Sequence, residues 1–183
     1  MSFIKFENCE LVSPQLDEPD RTIFPNGVYR CDISLPLSEA DLKIKEIGKV
    51  AKAHHKDLSP HAISNLWWRR EKFAHEKEDQ VTFKLRALNY TKLDGSIVDC
   101  CPKFISSDCK KILSEAPGHE SLCNVAAELL CYTANDFKGL ALIPIGIQVL
   151  KFVGHTPAND FASEMGFEPV NEISAAKTLD DQN

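Results

Sequence analysis

Cys100 and Cys101 stand side by side, and His54, His55 and His61 crowd one short stretch; by residue type these are the chain's best material for nucleophilic or metal chemistry. Their spacing works against it. Adjacent strand residues face opposite sides, so Cys100 and Cys101 cannot serve one centre, and no histidine lies nearby in sequence to take a thiol proton. Adjacent histidines on a helix diverge by about 100°, and no CxxC pair completes a zinc set. The chain also lacks a Gly-x-Ser-x-Gly elbow, a phosphate loop, a dinucleotide-binding glycine pattern and an HExxH helix. The expectation is no catalytic residue, no metal and no cofactor, with a small thiol- or metal-dependent hydrolase as the weaker alternative.

Binding residues are better organised. Lys84 and Arg86 share one face of an alternating segment, and Tyr90, Lys92 and Lys103 follow it closely. Phosphates seek positive charge and unpaired bases stack on flat rings, so a cationic strip beside an aromatic ring suits a single nucleic-acid strand. The same residues also fit an ordinary solvated face. The densest basic and aromatic cluster is Trp67-Trp68-Arg69-Arg70-Glu71-Lys72-Phe73. Read as a helix, it turns Trp67 and Phe73 toward the core and leaves Trp68 beside Arg69 and Lys72. That makes Trp68 a candidate base contact and Arg69, Arg70 and Lys72 candidate phosphate contacts.

The elements that must position these residues are mainly strands. Phe3 to Val12 reads as a strand, followed by a polar link from Ser13 to Asn26. Asn26-Gly27 opens a second strand, Val28 to Leu35, which Pro36 closes. Ser38 with Asp41 resembles a capping box at the start of a helix running to His55. Ser59-Pro60 resembles the start of a second helix that ends near Lys77. From Val81 to Leu88 the period is two, and the Asp94-Gly95 turn predicts antiparallel pairing of this strand with Ile97 to Ile105. Ser121 to Tyr132 and Gly139 to Val153 read as two long strands joined by a loop. The fold class is mainly β with inserted helices, a closed or nearly closed antiparallel β-barrel. Residues 1–155 form the expected domain, with the helical insertion at about 38–77.

Charge is divided unevenly along the chain. Its formal sum is -6, yet residues 156–183 hold six acids and one base, leaving 20 bases against 21 acids before them. The body is nearly neutral and the tail acidic, ending with Asp180 and Asp181; such a tail serves either partner binding or solubility. Seven cysteines without framework spacing fit reduced thiols packed as small hydrophobes. No apolar run approaches the roughly 20 residues that span a bilayer, and the N-terminus lacks a signal-peptide layout, so the cytoplasm is the expected location. A barrel that binds protein, with the acidic tail as a docking peptide, is the other alternative.

Three blocks together resemble the single-stranded-DNA-binding proteins of tailed bacteriophages. They are Phe24-Pro25-Asn26-Gly27-Val28-Tyr29-Arg30-Cys31-Asp32-Ile33; the stretch from Val81 to Ile105, with Phe83-Lys84-Leu85-Arg86-Ala87 and Pro102-Lys103-Phe104; and Gly118 to Glu168, with Tyr132, Lys138-Gly139-Leu140 and Ile147-Gln148-Val149-Leu150. The resemblance implies an OB-fold that binds single-stranded DNA without strong sequence preference in replication, recombination or repair, in the host bacterial cytoplasm. It places Lys84, Arg86, Tyr90, Lys103 and Tyr132 in segments that line the groove, and implies tail contacts with a phage polymerase or helicase. Two features depart from the family pattern: the final residues Asp180-Asp181-Gln182-Asn183, less acidic than family tails, and the helical insertion. Oligomeric state is not legible in the sequence.

Overall fold

Alternation sets the first strand. In β1 (Ser2–Asp20) Ile4, Phe6, Cys9, Leu11 and Leu16 face inward and are buried, and the changes of step coincide with breaks in register. The computed structural model of the chain describes residues 2–55, 68–71, 80–134 and 137–154, with 68–71 described as backbone. Asn8 and Ser13 take positive φ, 49° and 45°, beside register shifts in the pairing of β1 with its neighbours. An extra residue bends and twists a strand, so β1 follows the barrel wall instead of stopping. The expected polar link from Ser13 is corrected on this point: pairing with β2 (Val28–Pro36) continues through Gln15↔Arg30 to Asp20↔Val28.

Gly27 opens β2 at φ 92°, and a Cβ there would stand 2.6 Å from Cβ of Pro19, so this turn accepts only glycine. Helix α1 (Leu37–His54) follows at once and buries Ala40, Ile47 and Ala51. Its N-cap is Pro36, with no side-chain capping bond, and Ser38 lies inside the first turn; the expected capping box does not form.

The expected second helix is contradicted at its centre. Trp68–Glu71 is a strand, β3, paired antiparallel with β4 (Gln80–Leu88) through Trp68↔Phe83, Arg69↔Thr82, Arg70↔Val81 and Glu71↔Gln80. It satisfies part of an edge of β4 that would otherwise lack a partner, and aromatic residues suit that role. The rest of the expected helix, with Lys72, lies outside the described residues.

β4 pairs with β2 over nine residues, Val28↔Leu88 to Pro36↔Gln80. The Asp94-Gly95 turn joins only β5 (Tyr90–Thr91) and β6 (Ile97–Val98), so the expected pairing of β4 with Ile97 to Ile105 is also corrected. That stretch is interrupted before Pro102, and β7 (Lys103–Ser106) instead runs parallel to β10 (Phe137–Lys151) and antiparallel to β8 (Ile112–Leu113). β9 (Leu122–Ala134) and β10 form the long hairpin, with strands reaching closer to the tip than expected.

The barrel closes in the order β4-β2-β1-β9-β10, with β10 returning to β4 through the parallel bridge Leu142↔Leu85. Every other wall pairing is antiparallel. Its interior is filled by alternate residues of all five strands, among them Ile33, Leu85, Val125 and Ile147. Phe6 and Phe83 meet across it with ring centroids 5.0 Å apart, a contact worth about 0.5–1.5 kcal/mol beyond burial.

Candidate nucleic-acid interface

β2 and β4 present one outward row each. Direct register sets Arg30 beside Arg86 and Asp32 beside Lys84, while Val81, Phe83, Leu85 and Ala87 are fully buried behind them. Two like charges facing across a ladder repel, and each arginine here has its own acid. Arg30 Nη2 lies 3.3 Å from Asp20 Oδ2, and its Nε donates to Gln15 Oε1 at 3.0 Å. Arg86 forks onto both oxygens of Asp32, with Nη2 to Oδ2 at 3.3 Å, and its Nη1 also donates to the Leu85 carbonyl at 2.7 Å. Among the described residues no carboxylate lies within ion-pair distance of Lys84. Thr82 and Ser34, farther along the same rows, are buried, so the open part of the face runs from Lys84 toward Leu88.

At the Leu88 end the face meets a rim. Asn89 builds it. Its backbone N–H donates to Gly27 O (3.0 Å), its Nδ2 donates to Asn26 O (3.0 Å), and its Oδ1 accepts from Cys100 N–H (2.8 Å). Asn26 Nδ2 in turn donates to Thr91 Oγ1 at 3.0 Å. The 21–27 loop and the β5–β6 hairpin are thereby tied into one unit. That unit exposes Ile23, Phe24, Tyr90, Leu93 and Ile97, with Leu88 at its foot. Beside Thr91, Lys92, Leu93 and Asp94 lies an open hollow of about 530 Å³. Such a concentration of exposed apolar side chains makes this rim a candidate interaction surface.

Of the candidate residues, Lys84, Arg86, Tyr90 and Lys92 are brought together here. Lys103 is exposed and sits beside Gly146, four residues, or about 13 Å along β10, beyond the Leu142↔Leu85 bridge in the direction of the rim. Tyr132 lies at the other end, near the tip of the β9–β10 hairpin, with its ring over Gly139. Trp68, Arg69 and Arg70 belong to β3, level with residues 81–83 of β4, and not to a helix. Lys72, Asp180 and Asp181 lie outside the described residues.

Sequence reasoning missed Phe24, Ile23 and Arg30 as members of this face and rim, and Asp32 and Asn89 as their organisers. The Phe24-Pro25-Asn26-Gly27 turn was the available signal for the first two; the ion pairs need register, which sequence does not carry.

Three of the thiols lie behind this face. Cys9, Cys31 and Cys123 are buried in the barrel, and Cys9 Sγ contacts Cys123 O at 3.1 Å. Burial pushes all three thiols up, Cys123 to about 12. Among the described residues no three His, Cys, Asp or Glu side chains are grouped as a metal would need, and no helix is long and apolar enough to cross a membrane. Two other hollows, of about 430 Å³ at Ser106, Leu113, Val149 and Phe152 and about 340 Å³ at Glu7, Asn8, Leu35 and Leu42, lie away from the cationic face.

A five-stranded barrel of this strand order, sealed by one parallel pairing, is an OB-fold, a class whose second and third strands and adjoining loops carry oligonucleotide and oligosaccharide sites. Solved structures of the same fold include gp2.5, a single-stranded DNA-binding protein encoded by bacteriophage T7, at 14% identity and TM-score 0.61 over 84% of this chain and 93% of that one. The single-stranded DNA-binding protein from bacteriophage Enc34 is similar too. Its complex with ssDNA aligns at 13% identity and TM-score 0.58, over 82% of this chain and 87% of that one; its C-terminal truncation gives 13%, 0.59, 82% and 86%. No family model and no curated protein matches the sequence.

Proposed function

We propose that this chain is a non-catalytic, largely sequence-independent single-stranded-DNA-binding protein serving phage DNA replication, recombination or repair in the host cytoplasm. The observation that carries the reading is the continuity of the Lys84–Arg86 face with the rim bearing Tyr90, Phe24 and Lys92. Charge attracts the backbone and exposed rings take the bases, the two components that single-strand binding requires. The DNA-binding proteins that share the fold, one of them solved with ssDNA, support it. In this reading residues 1–155 bind DNA, and residues 156–183 are an acidic tail that contacts replication proteins such as a polymerase or helicase.

Two measurements test the assignment of parts. Lys84→Ala should weaken oligonucleotide binding equally for all sequences and flatten its salt dependence; sequence-selective loss would instead mean base readout. Removing the residues after Thr156 should tighten DNA binding at low salt, because six carboxylates no longer compete with phosphate. Unchanged affinity would remove the competing tail from the account.

A further inference from the structure

Arg86 and Lys84 sit two residues apart on one strand, but their surroundings differ in kind. Three acceptors hold the Arg86 guanidinium: both oxygens of Asp32 and the Leu85 carbonyl. Hydrogen bonds to a guanidinium lie in its plane, so these contacts occupy its edges and leave its flat faces. The Arg86 side chain stays 32% exposed while Asp32 is only 18% exposed. A carboxylate in direct contact also offsets most of the charge that a phosphate would feel. Lys84, in register with Asp32, has no carboxylate within 4.0 Å among the described residues.

Resting on the single-strand reading above, we propose that Arg86 is a base-stacking plate, with Asp32 as the positioning residue that fixes its plane, and that Lys84 supplies the phosphate attraction of this face. A guanidinium held flat and nearly neutralised offers a base the same kind of surface as an aromatic ring. The two cations thus divide the labour: one holds the backbone and the other holds a base.

The test is anisotropy of a labelled oligo-dT titrated with the full chain across a series of salt concentrations. An equal-length abasic oligonucleotide is titrated in parallel, and thermal melts check each variant. A phosphate contact on a single strand contributes about 0.7 to the slope of log K against log salt. Lys84→Ala should therefore flatten the slope by about 0.7. Arg86→Ala combined with Asp32→Asn removes the cation and its acid together and should weaken oligo-dT binding by about 5- to 150-fold, the range of one lost base stack, while leaving the slope unchanged and costing little on the abasic strand. Arg86→Lys keeps the charge without the plane and should bind as weakly as that double variant. Asp32→Asn, nearly isosteric, frees the guanidinium charge and should steepen the slope by about 0.7; this variant keeps the test decisive if loss of Arg86 harms folding. The proposal is overturned if the double variant flattens the slope as Lys84→Ala does, if Arg86→Lys restores wild-type affinity, or if Asp32→Asn leaves the slope unmoved. Failure of the wild-type chain to bind either strand would overturn the single-strand reading itself, and this proposal with it.

Discussion

The ring of Tyr132 lies across Gly139, its partner on the neighbouring strand: a Cβ at Gly139 would stand 2.3 Å from Tyr132 Cζ and 2.5 Å from its hydroxyl oxygen. A glycine inside a strand leaves backbone uncovered, and an aromatic neighbour laid over it restores the cover. Gly139→Ala must push that ring away. The atoms met are the far end of a half-buried side chain, so the expected cost is about 1 kcal/mol, the low end for overpacked sites, measured by denaturant unfolding. A variant as stable as wild type would mean that the ring moves aside freely and that its position carries no structural weight.

Asn89 is the tie between the 21–27 loop and the β5–β6 hairpin. Replacing it by alanine leaves Asn26 O and Cys100 N–H without their partner, at a cost of about 1–3 kcal/mol. Because the lost bonds are local, amide exchange should rise first in residues 22–27 and 89–100, with the barrel strands still protected. Uniform acceleration across β1 and β9 would contradict a local tie.

The buried thiols make stability fall in alkali. Burial raises Cys123 from 9.0 to about 12, and Cys9 and Cys31 are raised first by burial and then by neighbouring thiols. A group raised in the folded state keeps its proton there while the unfolded chain loses it. The stability it contributes is thus complete below about pH 9 and lost progressively toward pH 12, by up to about 1.4 kcal/mol per unit for each thiol. Urea unfolding at roughly pH 8 and roughly pH 10 should show the fall, and Cys123→Ala should lessen it. An equal fall in that variant would place the effect elsewhere. In the native state exposed Cys109 should alkylate well before these three.

Much of the fold is legible in the chain because the barrel interior obeys period two. Val81, Phe83, Leu85 and Ala87 read as an inward row and are one, and the spacing of Ile47 and Ala51 marks α1. The misread parts have physical causes. Bulges beside Asn8 and Ser13 break the alternation that would have shown β1 running on to Asp20. Trp67 and Phe73 happen to fit a helical stripe, whereas β3 is a four-residue strand specified by the open edge of β4. The bridge Leu142↔Leu85 joins segments far apart in sequence and has no local signature. The site divides in the same way. Lys84 and Arg86 on one face could be read directly, but the acid that occupies Arg86 comes from β2, and only the register of two strands puts it there.

The central claim is tested most directly by titrating the chain with oligo-dT and with a duplex of equal length at two salt concentrations. The account predicts binding to the single strand alone, weakening as salt rises because phosphate contacts release counterions. Equal binding to strand and duplex, or binding to neither, would contradict it.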